Sequence, residues 1–287
     1  MTQLTRRQFA GGLAAGAAAV LAAPAWAAAR HFAGPYGVQM YSIRDGMQHD
    51  PAQALAMVRG IGYIEIEAWQ PQGVNARQLK PLLAAAGLKA TGMHTVYRAL
   101  DQQMPSLIEN AQALGAGWVV CAWVDDNLRR TADDYRRLAD AFNRFGEQLH
   151  AAGLRLGYHN HTVEFVRFGG EPALDLLIQR TNPERVWFEL DIGHCRRAGA
   201  RPVSYLHRYA RRIKLLHLKD VRPKPGIAHP TENDYEDVPI GTGIIDIPAV
   251  LRAAAANHVE RYYVEEEAGQ VRRRLTEDYQ YLRQVTF

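Results

Sequence analysis

Four apolar segments in the second half of the chain end in acids or histidines. In residues 186–194, a run of Val, Trp, Phe and Leu leads to Asp191, Gly193 and His194. Three further apolar segments end with polar residues: His159 and His161, His217 and Lys219, and Glu265. An apolar run suits a strand covered on both faces, whereas a carboxylate or an imidazole at its end needs water, a metal ion or a substrate. One such residue is usually a turn or cap residue, but four segments in series indicate one shared polar centre.

The residue types at these ends suit one kind of chemistry. Because side chains alternate across a strand, four successive strands can place four side chains around one point: His159, Asp191, His217 and Glu265. Imidazole nitrogens together with carboxylate oxygens favour Mn²⁺, Zn²⁺, Co²⁺ or Fe²⁺ over Ca²⁺ or Mg²⁺. A cation there could polarise a substrate carbonyl and acidify the adjacent C–H bond. The sequence therefore predicts a divalent-metal site at the ends of these strands.

The elements that must position this site alternate along the chain. The predicted strands are residues 37–43, 63–68, 88–94, 118–124, 155–161, 186–194, 213–220 and 261–267. The predicted helices are one that opens at Asp50 and Pro51 and those at 76–86, 106–114, 132–152, 172–179, 203–209, 247–256 and 271–284. Eight such repeats of about 32 residues predict a single-domain (β/α)8 TIM barrel. The structural competitor is a doubly wound open sheet, which the absence of an interposed antiparallel segment disfavours.

The amino terminus has the pattern of an export signal. Arg6 and Arg7 precede an Ala- and Gly-rich apolar run from Ala10 to Ala23, and Ala25 and Ala27 have the small side chains of a cleavage site. We expect a twin-arginine signal peptide over residues 1–27, a mature barrel over residues 28–287 and a periplasmic or secreted protein. The apolar run is short for a membrane span, so we expect no stable membrane anchor.

Composition narrows the class of partner. The chain of 287 residues is 47% hydrophobic and 22% charged, as soluble globular proteins are. Its formal charge is +4, and removal of the two signal arginines leaves +2, too little to indicate a nucleic acid as partner. The two cysteines, Cys121 and Cys195, are predicted to be separate thiols. An oligomer is compatible with the sequence.

One irregular segment interrupts the repeat at residues 221–243. It contains Pro223, Pro225 and Pro230, four acids, and a Gly-Thr-Gly end at residues 241–243. Because it follows the seventh predicted strand on the expected catalytic face, it is long enough to act as a substrate loop or lid. A solvated connector is the alternative.

These residues resemble the xylose-isomerase-like, or sugar phosphate isomerase/epimerase, barrel superfamily over about residues 37–284. The motifs that carry the resemblance are Gly-Tyr-Ile-Glu-Ile-Glu at 62–67, His94, Tyr-His-Asn-His-Thr-Val-Glu-Phe at 158–165, Leu-Asp-Ile-Gly-His at 190–194, His-Leu-Lys-Asp at 217–220, Gly-Thr-Gly at 241–243 and Tyr-Val-Glu-Glu-Glu at 263–267. The resemblance implies a divalent metal held by four side chains and a substrate of the sugar or polyol class. The sequence departs from the usual Glu, Asp, His, Glu ligand set at its first position, where His159 stands.

The departure at His159 bears on the reaction. In epimerases of this kind two ligand glutamates exchange the substrate proton, so the loss of one leaves four candidate catalytic residues: His94, Glu164, Lys219 and Glu265. The motif at 158–165 resembles the inosose-dehydratase and 3-keto-glycoside-cleaving branches, in which a proton next to a ketone is removed and a β-oxygen leaves. Whether His159 or a nearby residue such as Glu164 completes the metal site is left open by the sequence.

Five further residues are candidates for binding the substrate: Glu67, Trp69, Trp123, His161 and His194. Glu67 could bind a sugar hydroxyl or pair with a neighbouring Lys or Arg. His194 could contact substrate or orient Asp191. Trp69 and Trp123 could form an apolar platform for a sugar, although buried packing is the alternative for at least one of them.

The function predicted from the sequence is that of a metal-dependent sugar isomerase, epimerase or carbon–oxygen lyase. It would act on a keto-sugar or 3-keto-glycoside with Mn²⁺, Zn²⁺ or Co²⁺ as cofactor. The alternative is a non-catalytic periplasmic carbohydrate-binding barrel, since a ligand set does not guarantee turnover. A DNA-cutting barrel is disfavoured by export and by the small positive charge.

Overall fold

A closed barrel of parallel strands forms the centre of the protein. The computed structural model describes residues 31–32, 34–69 and 75–287, so the predicted signal peptide lies outside the described residues. In that part of the chain, eight strands pair in the order β1-β8-β7-β6-β5-β4-β3-β2, with β1 and β2 closing the ring. They are β1 Gly37–Gln39, β2 Glu65–Trp69, β3 Lys89–Val96, β4 Trp118–Trp123, β5 Arg155–His159, β6 Val186–Asp191, β7 Ile213–Leu218 and β8 Arg261–Val264. The predicted (β/α)8 TIM barrel is confirmed.

Helices surround the barrel. Those in the described residues are α1 Arg44–His49, α2 Pro51–Ile61, α3 Ala76–Ala86, α4 Tyr97–Gln102, α5 Met104–Leu114, α6 Ala132–Ala151, α7 Ala173–Arg180, α8 Ile192–Arg197, α9 Pro202–Arg208, α10 Ile247–Ala256 and α11 Val271–Gln284. Short 3₁₀ turns lie at Met40–Ile43, Asp126–Leu128, Thr162–Phe165 and Glu232–Asp234. The apolar faces of the helices form one continuous core with the outer faces of the strands.

Several helices begin or end at the predicted residues, because a capping side chain, a proline or a glycine lies there. The Asp50 side chain accepts a hydrogen bond from Gln53 N at 3.0 Å, and Pro51 is the first residue of α2. Gly87 ends α3 with a φ of 71°, a left-handed conformation that glycine adopts without strain. The first strand is shorter than predicted, because Gln39 caps the 3₁₀ turn at Met40–Ile43 through its side-chain oxygen.

The inside of the barrel has two layers of different character. Near the N-terminal ends of the strands, Trp118, Val120, Leu215 and Tyr263 form a small apolar cluster. Trp187 packs edge-on against Trp118 with ring centroids 5.6 Å apart. This apolar plug closes the bottom of the barrel, so the polar side chains that follow it on the same strands can meet only toward the C-terminal ends.

Residues 221–243 form an anchored hairpin rather than a free loop. Asp220–Pro223 pairs antiparallel with Tyr235–Val238. The Asp220 carboxylate accepts hydrogen bonds from the backbone N–H groups of Gly241, Gly243 and Ile245 at 2.9–3.1 Å. Arg197 donates to Tyr235 O and to Asp237 Oδ1 at 3.0 and 2.7 Å. None of these residues lines the cleft above the polar centre, so the structure does not place the segment over the cleft as a lid. The segment is not a solvated connector either, because Val221, Tyr235 and Ile240 are buried.

Cys121 and Cys195 are separate, buried thiols, as predicted. Among the described helices, none combines the length and the apolar character that crossing a membrane requires.

Candidate active site

The four predicted ligands converge at the C-terminal end of the barrel. His159 ends β5, Asp191 ends β6, His217 lies in β7 and Glu265 follows β8 directly. One ligand atom from each of the four lies within 4.8 Å of those of the others, and all four residues are buried. We call His159, Asp191, His217 and Glu265 the metal quartet. The register explains the convergence, because Asp191 is the direct partner of His217 across β6 and β7.

The metal quartet fits a divalent cation. Its two carboxylates and two imidazoles offer equal numbers of oxygen and nitrogen donors, which suits Mn²⁺, Co²⁺ or Zn²⁺. Asp191 Oδ2 is buried and receives no hydrogen bond, and its partner is the ammonium of Lys219 at 3.3 Å, so this oxygen is available to a cation. Asp191 Oδ1 accepts from His194 N at 2.7 Å, which fixes the orientation of the carboxylate.

Lys219 lies beside the metal quartet. Its Nζ is 2.9 Å from Glu265 Oε2, 3.3 Å from Asp191 Oδ2 and 2.6 Å from Glu267 Oε1. Burial lowers the pKa of Lys219, but the carboxylates of Asp191 and Glu265 outweigh burial and raise it well above its usual value. Burial raises the pKa of Glu265, and the charges of Lys219 and His217 reverse this and lower it well below its usual value. Lys219 is therefore a charged ammonium that shares two carboxylates with the metal quartet.

A second set of polar side chains lies directly next to the metal quartet inside the barrel. Glu67 Oε2 and Glu189 Oε2 each approach the Nε2 atoms of His94 and His217, at distances of 2.8–3.1 Å. We call these four atoms the carboxylate–imidazole ring. Glu189 Oε2 also lies 3.1 Å from His159 Nδ1, and Glu67 Oε2 accepts from Gln39 Nε2 at 2.7 Å.

Two members of this layer, Gln39 and Glu189, have no predicted role in the site, and Glu67 is predicted from the sequence as a substrate contact. The signal for Glu189 was its position two residues before Asp191, which places both side chains on the inner face of β6. The interior position of Glu67 does not favour a direct substrate contact, because its carboxylate is fully buried.

The carboxylates set the charge of the three histidines. Burial lowers the pKa of His94, but Glu67 and Glu189 outweigh it and raise the pKa to about 9. Burial lowers the pKa of His217, but the carboxylates of Glu189 and Glu265 outweigh burial and raise it well above its usual value. His159 has its pKa lowered well below the usual value by burial and by the neighbouring His217. A protonated His94 cannot accept a substrate proton, so this arrangement does not favour His94 as the catalytic base.

His161 and His194 line the cleft above the metal quartet. Their ring centroids are 4.8 Å apart, and His161 lies 4.9 Å from His159. His194 Nδ1 is 3.0 Å from the hydroxyl of Thr162. Burial lowers the pKa of both histidines, and the charge of Lys219 adds to the effect on His194. Both imidazoles are therefore neutral at neutral pH, and they can form hydrogen bonds to a polar ligand without adding charge to the cleft.

The structure does not bring Glu164 into the metal quartet. Glu164 Oε1 accepts from Arg129 Nη1 and from the Tyr158 hydroxyl, each at 2.9 Å. Glu164 Oε2 accepts from His161 N at 2.7 Å. Both oxygens are thus engaged, and the carboxylate holds the start of the Thr162–Phe165 turn, which carries His161 at its entrance.

This assignment predicts a large effect of Arg129 on stability. Arg129→Met should lower the free energy of unfolding by about 3–5 kcal/mol, because it leaves the fully buried Glu164 carboxylate without its positive partner. Urea unfolding measures the difference. Arg136→Met is the matched control, because its ion pair with Asp133 is exposed and should contribute less than about 1 kcal/mol. Equal losses in the two variants would contradict the assignment.

A cleft of about 370 Å³ opens above the metal quartet. Residues at its wall and floor include Tyr41, Trp69, His94, Trp123, His159, His161, His194, Glu265 and Glu267. Trp123 is 43% exposed, and Arg129 stacks on it with the guanidinium carbon 4.3 Å from the ring centroid. Trp69 is half-buried and packs edge-on against Tyr41 at 4.7 Å. Both tryptophans are therefore at the cleft, as the platform prediction requires.

Comparison with known proteins gives the family. The sequence profile described as Xylose isomerase-like TIM barrel matches residues 53–285. The inosose dehydratase of Lacticaseibacillus casei is 32% identical over 98 residues, which cover 34% of this chain and 32% of that protein. The inosose dehydratase of Bacillus cereus strain AH820 is 29% identical over 145 residues, or 47% and 48% of the two chains. The aligned stretches thus span about a third to a half of these relatives.

Solved structures share the whole architecture. A sugar phosphate isomerase/epimerase from Parabacteroides distasonis superposes with a TM-score of 0.73 and 24% identity over 86% of this chain and 93% of that chain. An L-ribulose 3-epimerase superposes with a TM-score of 0.64 and 17% identity over 86% and 92%. A Mycobacterium smegmatis barrel solved in complex with magnesium gives 0.66 and 14% over 89% and 97%. At these identities the likeness concerns the fold. Because the profile match covers most of the barrel, this chain belongs to the Xylose isomerase-like TIM barrel family.

Proposed function

We propose that this protein is a divalent-metal-dependent carbohydrate enzyme, an isomerase, epimerase or carbon–oxygen lyase. It would abstract a proton next to the carbonyl of a keto-sugar or 3-keto-glycoside. The observation that carries the proposal is the convergence of four buried N and O ligands at the floor of a cleft with aromatic walls. The partial similarity to inosose dehydratases supports the dehydratase-like form of this chemistry.

The metal quartet would hold the cation, with Mn²⁺, Zn²⁺ or Co²⁺ as the ions its donors suit. When bound, such a cation polarises carbonyl and hydroxyl oxygens and stabilises the negative charge that develops after proton loss. Without such stabilisation, a C–H bond of a sugar is too weakly acidic for a side-chain base near neutral pH.

Two residues of the chain are placed to handle the proton. Glu265 belongs to the metal quartet and also lines the cleft, so we assign proton abstraction to its carboxylate. Lys219 Nζ lies 2.9 Å from Glu265 Oε2 and would supply a proton to the departing or recipient oxygen. The carboxylates of Asp191, Glu265 and Glu267 hold the ammonium in place. The group that would donate a proton, Lys219, therefore lies next to the group that would accept one, Glu265.

The cleft suits a small carbohydrate. Its volume of about 370 Å³ is at the lower end of the range of small-ligand sites. The exposed face of Trp123 offers an apolar surface for the C–H face of a sugar ring. His161 and His194 would bind hydroxyl groups, which agrees with their predicted role as substrate contacts. From the twin-arginine pattern of the sequence we further propose that the protein is periplasmic or secreted, and cleavage after Ala27 in exported protein would test this.

Hydrogen exchange tests the reaction. The full chain, supplied in turn with Mn²⁺, Zn²⁺ or Co²⁺, should incorporate solvent deuterium next to the carbonyl of a keto-sugar or 3-keto-glycoside in D₂O. Glu265→Gln should lose at least about a hundredfold in exchange rate, because general base catalysis typically contributes 10²–10⁴-fold. Ligand-induced thermal stabilisation without exchange or turnover on any substrate would instead identify a carbohydrate-binding barrel.

A further inference from the structure

The ammonium of Lys219 is balanced by three carboxylates that differ in how they contact it. Its Nζ donates a hydrogen bond to Glu267 Oε1 at 2.6 Å. Its contacts with Glu265 Oε2 at 2.9 Å and with Asp191 Oδ2 at 3.3 Å are ion-pair contacts, and Asp191 Oδ2 receives no hydrogen bond. Lys219 is 5% exposed, so little water reaches the ammonium. Its position is therefore set chiefly by Glu267.

Glu267 differs from the other two carboxylates in where it lies. It comes two residues after Glu265, at the wall of the cleft, and its side chain is 38% exposed. The side chains of Asp191 and Glu265 are only 0% and 8% exposed. Among the described residues, the groups whose donor atoms converge closely enough to hold an ion include Asp191 and Glu265 but not Glu267. Glu267 is thus a carboxylate beside the metal quartet and not a member of it.

A cation in the metal quartet would change the balance of charge around Lys219. Asp191 and Glu265 are the two carboxylates of the quartet, and they are also two of the three that balance the ammonium. Once they bind a divalent cation, their negative charge is neutralised, and the cation itself repels the ammonium. A buried ammonium that has lost its carboxylate partners is strongly destabilised. Glu267 is the one partner of the three that this cation leaves to Lys219.

We propose that Glu267 is a positioning residue that holds Lys219 at the cleft when the metal quartet is occupied. This inference rests on the proposed metal site. An ammonium has three hydrogens, so with one of them bound to Glu267 the other two are available to oxygen atoms of a ligand. Glu267 would therefore act through Lys219, by keeping the proton donor in place beside Glu265.

The nuclear magnetic resonance signal of the Lys219 ammonium tests this role. The chain has five lysines, so nitrogen-15 labelling of lysine gives a simple spectrum, and Lys219→Met identifies the Lys219 signal. An ammonium that is held and shielded from water exchanges its hydrogens slowly enough to give a sharp signal. In the full chain saturated with Zn²⁺, we expect this signal in the wild type and its loss in Glu267→Gln.

Glu236→Gln is the matched control. The Glu236 side chain is 39% exposed and pairs with Arg222 at 2.7 Å, so it resembles Glu267 in exposure and in having one basic partner, but it does not line the cleft. This variant should keep the Lys219 signal. Loss of the signal in both variants would show that any change of surface charge disturbs it, and would overturn the assignment.

Metal affinity separates positioning from a simple effect of charge. Glu267→Gln removes a negative charge near the quartet, which lowers the affinity for Zn²⁺ whether or not Lys219 is present. If Glu267 also holds the ammonium, the loss should be at least about threefold larger in the wild type than in a Lys219→Met background, because residues in contact are coupled. Equal losses in the two backgrounds would show an effect of charge alone and overturn the proposal.

Neither measurement needs a substrate, so this inference and the proposed function can fail separately. If the wild type binds none of Mn²⁺, Zn²⁺ and Co²⁺, the proposed metal site is wrong, and the role of Glu267 is wrong with it. If Zn²⁺ binds and Lys219 keeps its signal in Glu267→Gln, only the positioning role is wrong. A zinc-loaded wild type without a Lys219 signal leads to the same conclusion. If only Mn²⁺ or Co²⁺ binds, the comparison of affinities in the two backgrounds decides with that ion.

Discussion

Replacing Asp191 with asparagine is expected to remove the ion from the metal quartet and to lower turnover by roughly 10³-fold, because a bound cation contributes several kcal/mol to stabilising the developing charge. The change removes one of the two carboxylate charges of the quartet. The asparagine oxygen can still accept the hydrogen bond from His194 N that Asp191 Oδ1 accepts at 2.7 Å, so the fold should be retained. Metal titration and the rate of deuterium exchange, measured on the same preparation, give the two effects.

Asp133→Asn is the control for this experiment. Asp133 lies in the first turn of α6, and its side chain is exposed and pairs with Arg136. This variant should bind metal and turn over substrate as the wild type does. If Asp191→Asn kept both the affinity of the wild type for metal and its rate of exchange, the centre of the reaction would lie elsewhere, even though the barrel is correct.

Lys219→Met is expected to change metal binding and activity in opposite directions. The ammonium lies within 3.3 Å of two carboxylates of the metal quartet, and a positive charge at this place opposes a second cation. Its removal should therefore raise the affinity of the quartet for metal. The rate should fall by about 10²–10⁴-fold, the usual contribution of a positioned proton donor. Metal titration and steady-state kinetics at saturating metal separate the two effects.

Lys214→Met controls for the loss of a lysine from the same strand. Lys214 lies near the start of β7, and its Nζ is 3.3 Å from His258 O, at the end of the barrel away from the metal quartet. Neither metal affinity nor rate should change. A Lys219→Met variant with lower metal affinity would show that the ammonium orders the quartet rather than competing with the cation.

The barrel and the metal quartet were predictable because both depend on periodicity. An apolar run that ends in a polar residue predicts where a strand ends and which side chain lies at that end. This pattern predicted that four side chains lie together: His159, Asp191, His217 and Glu265. The ends of α2 and α3 were predictable because Asp50 and Gly87 act through the backbone of their own neighbours.

The inner layer was less predictable, because it depends on how strands stagger around the barrel. Glu67 comes from the second strand and Glu189 from the sixth, yet the two share the same imidazoles. No pattern in the sequence around either residue indicates that the two carboxylates lie close together. Glu164 shows the opposite case: its motif drew attention to it, but its partner Arg129 is 35 residues earlier in the chain, and the pairing engages the carboxylate away from the metal quartet.

The anchoring of residues 221–243 has a consequence for how a substrate is received. Asp220 follows Lys219 directly, and its carboxylate fastens the return of the hairpin through three backbone N–H groups. None of residues 221–243 lines the cleft, so this fastening holds the segment back from the cleft, and a ligand can enter and leave without any movement of this part of the chain.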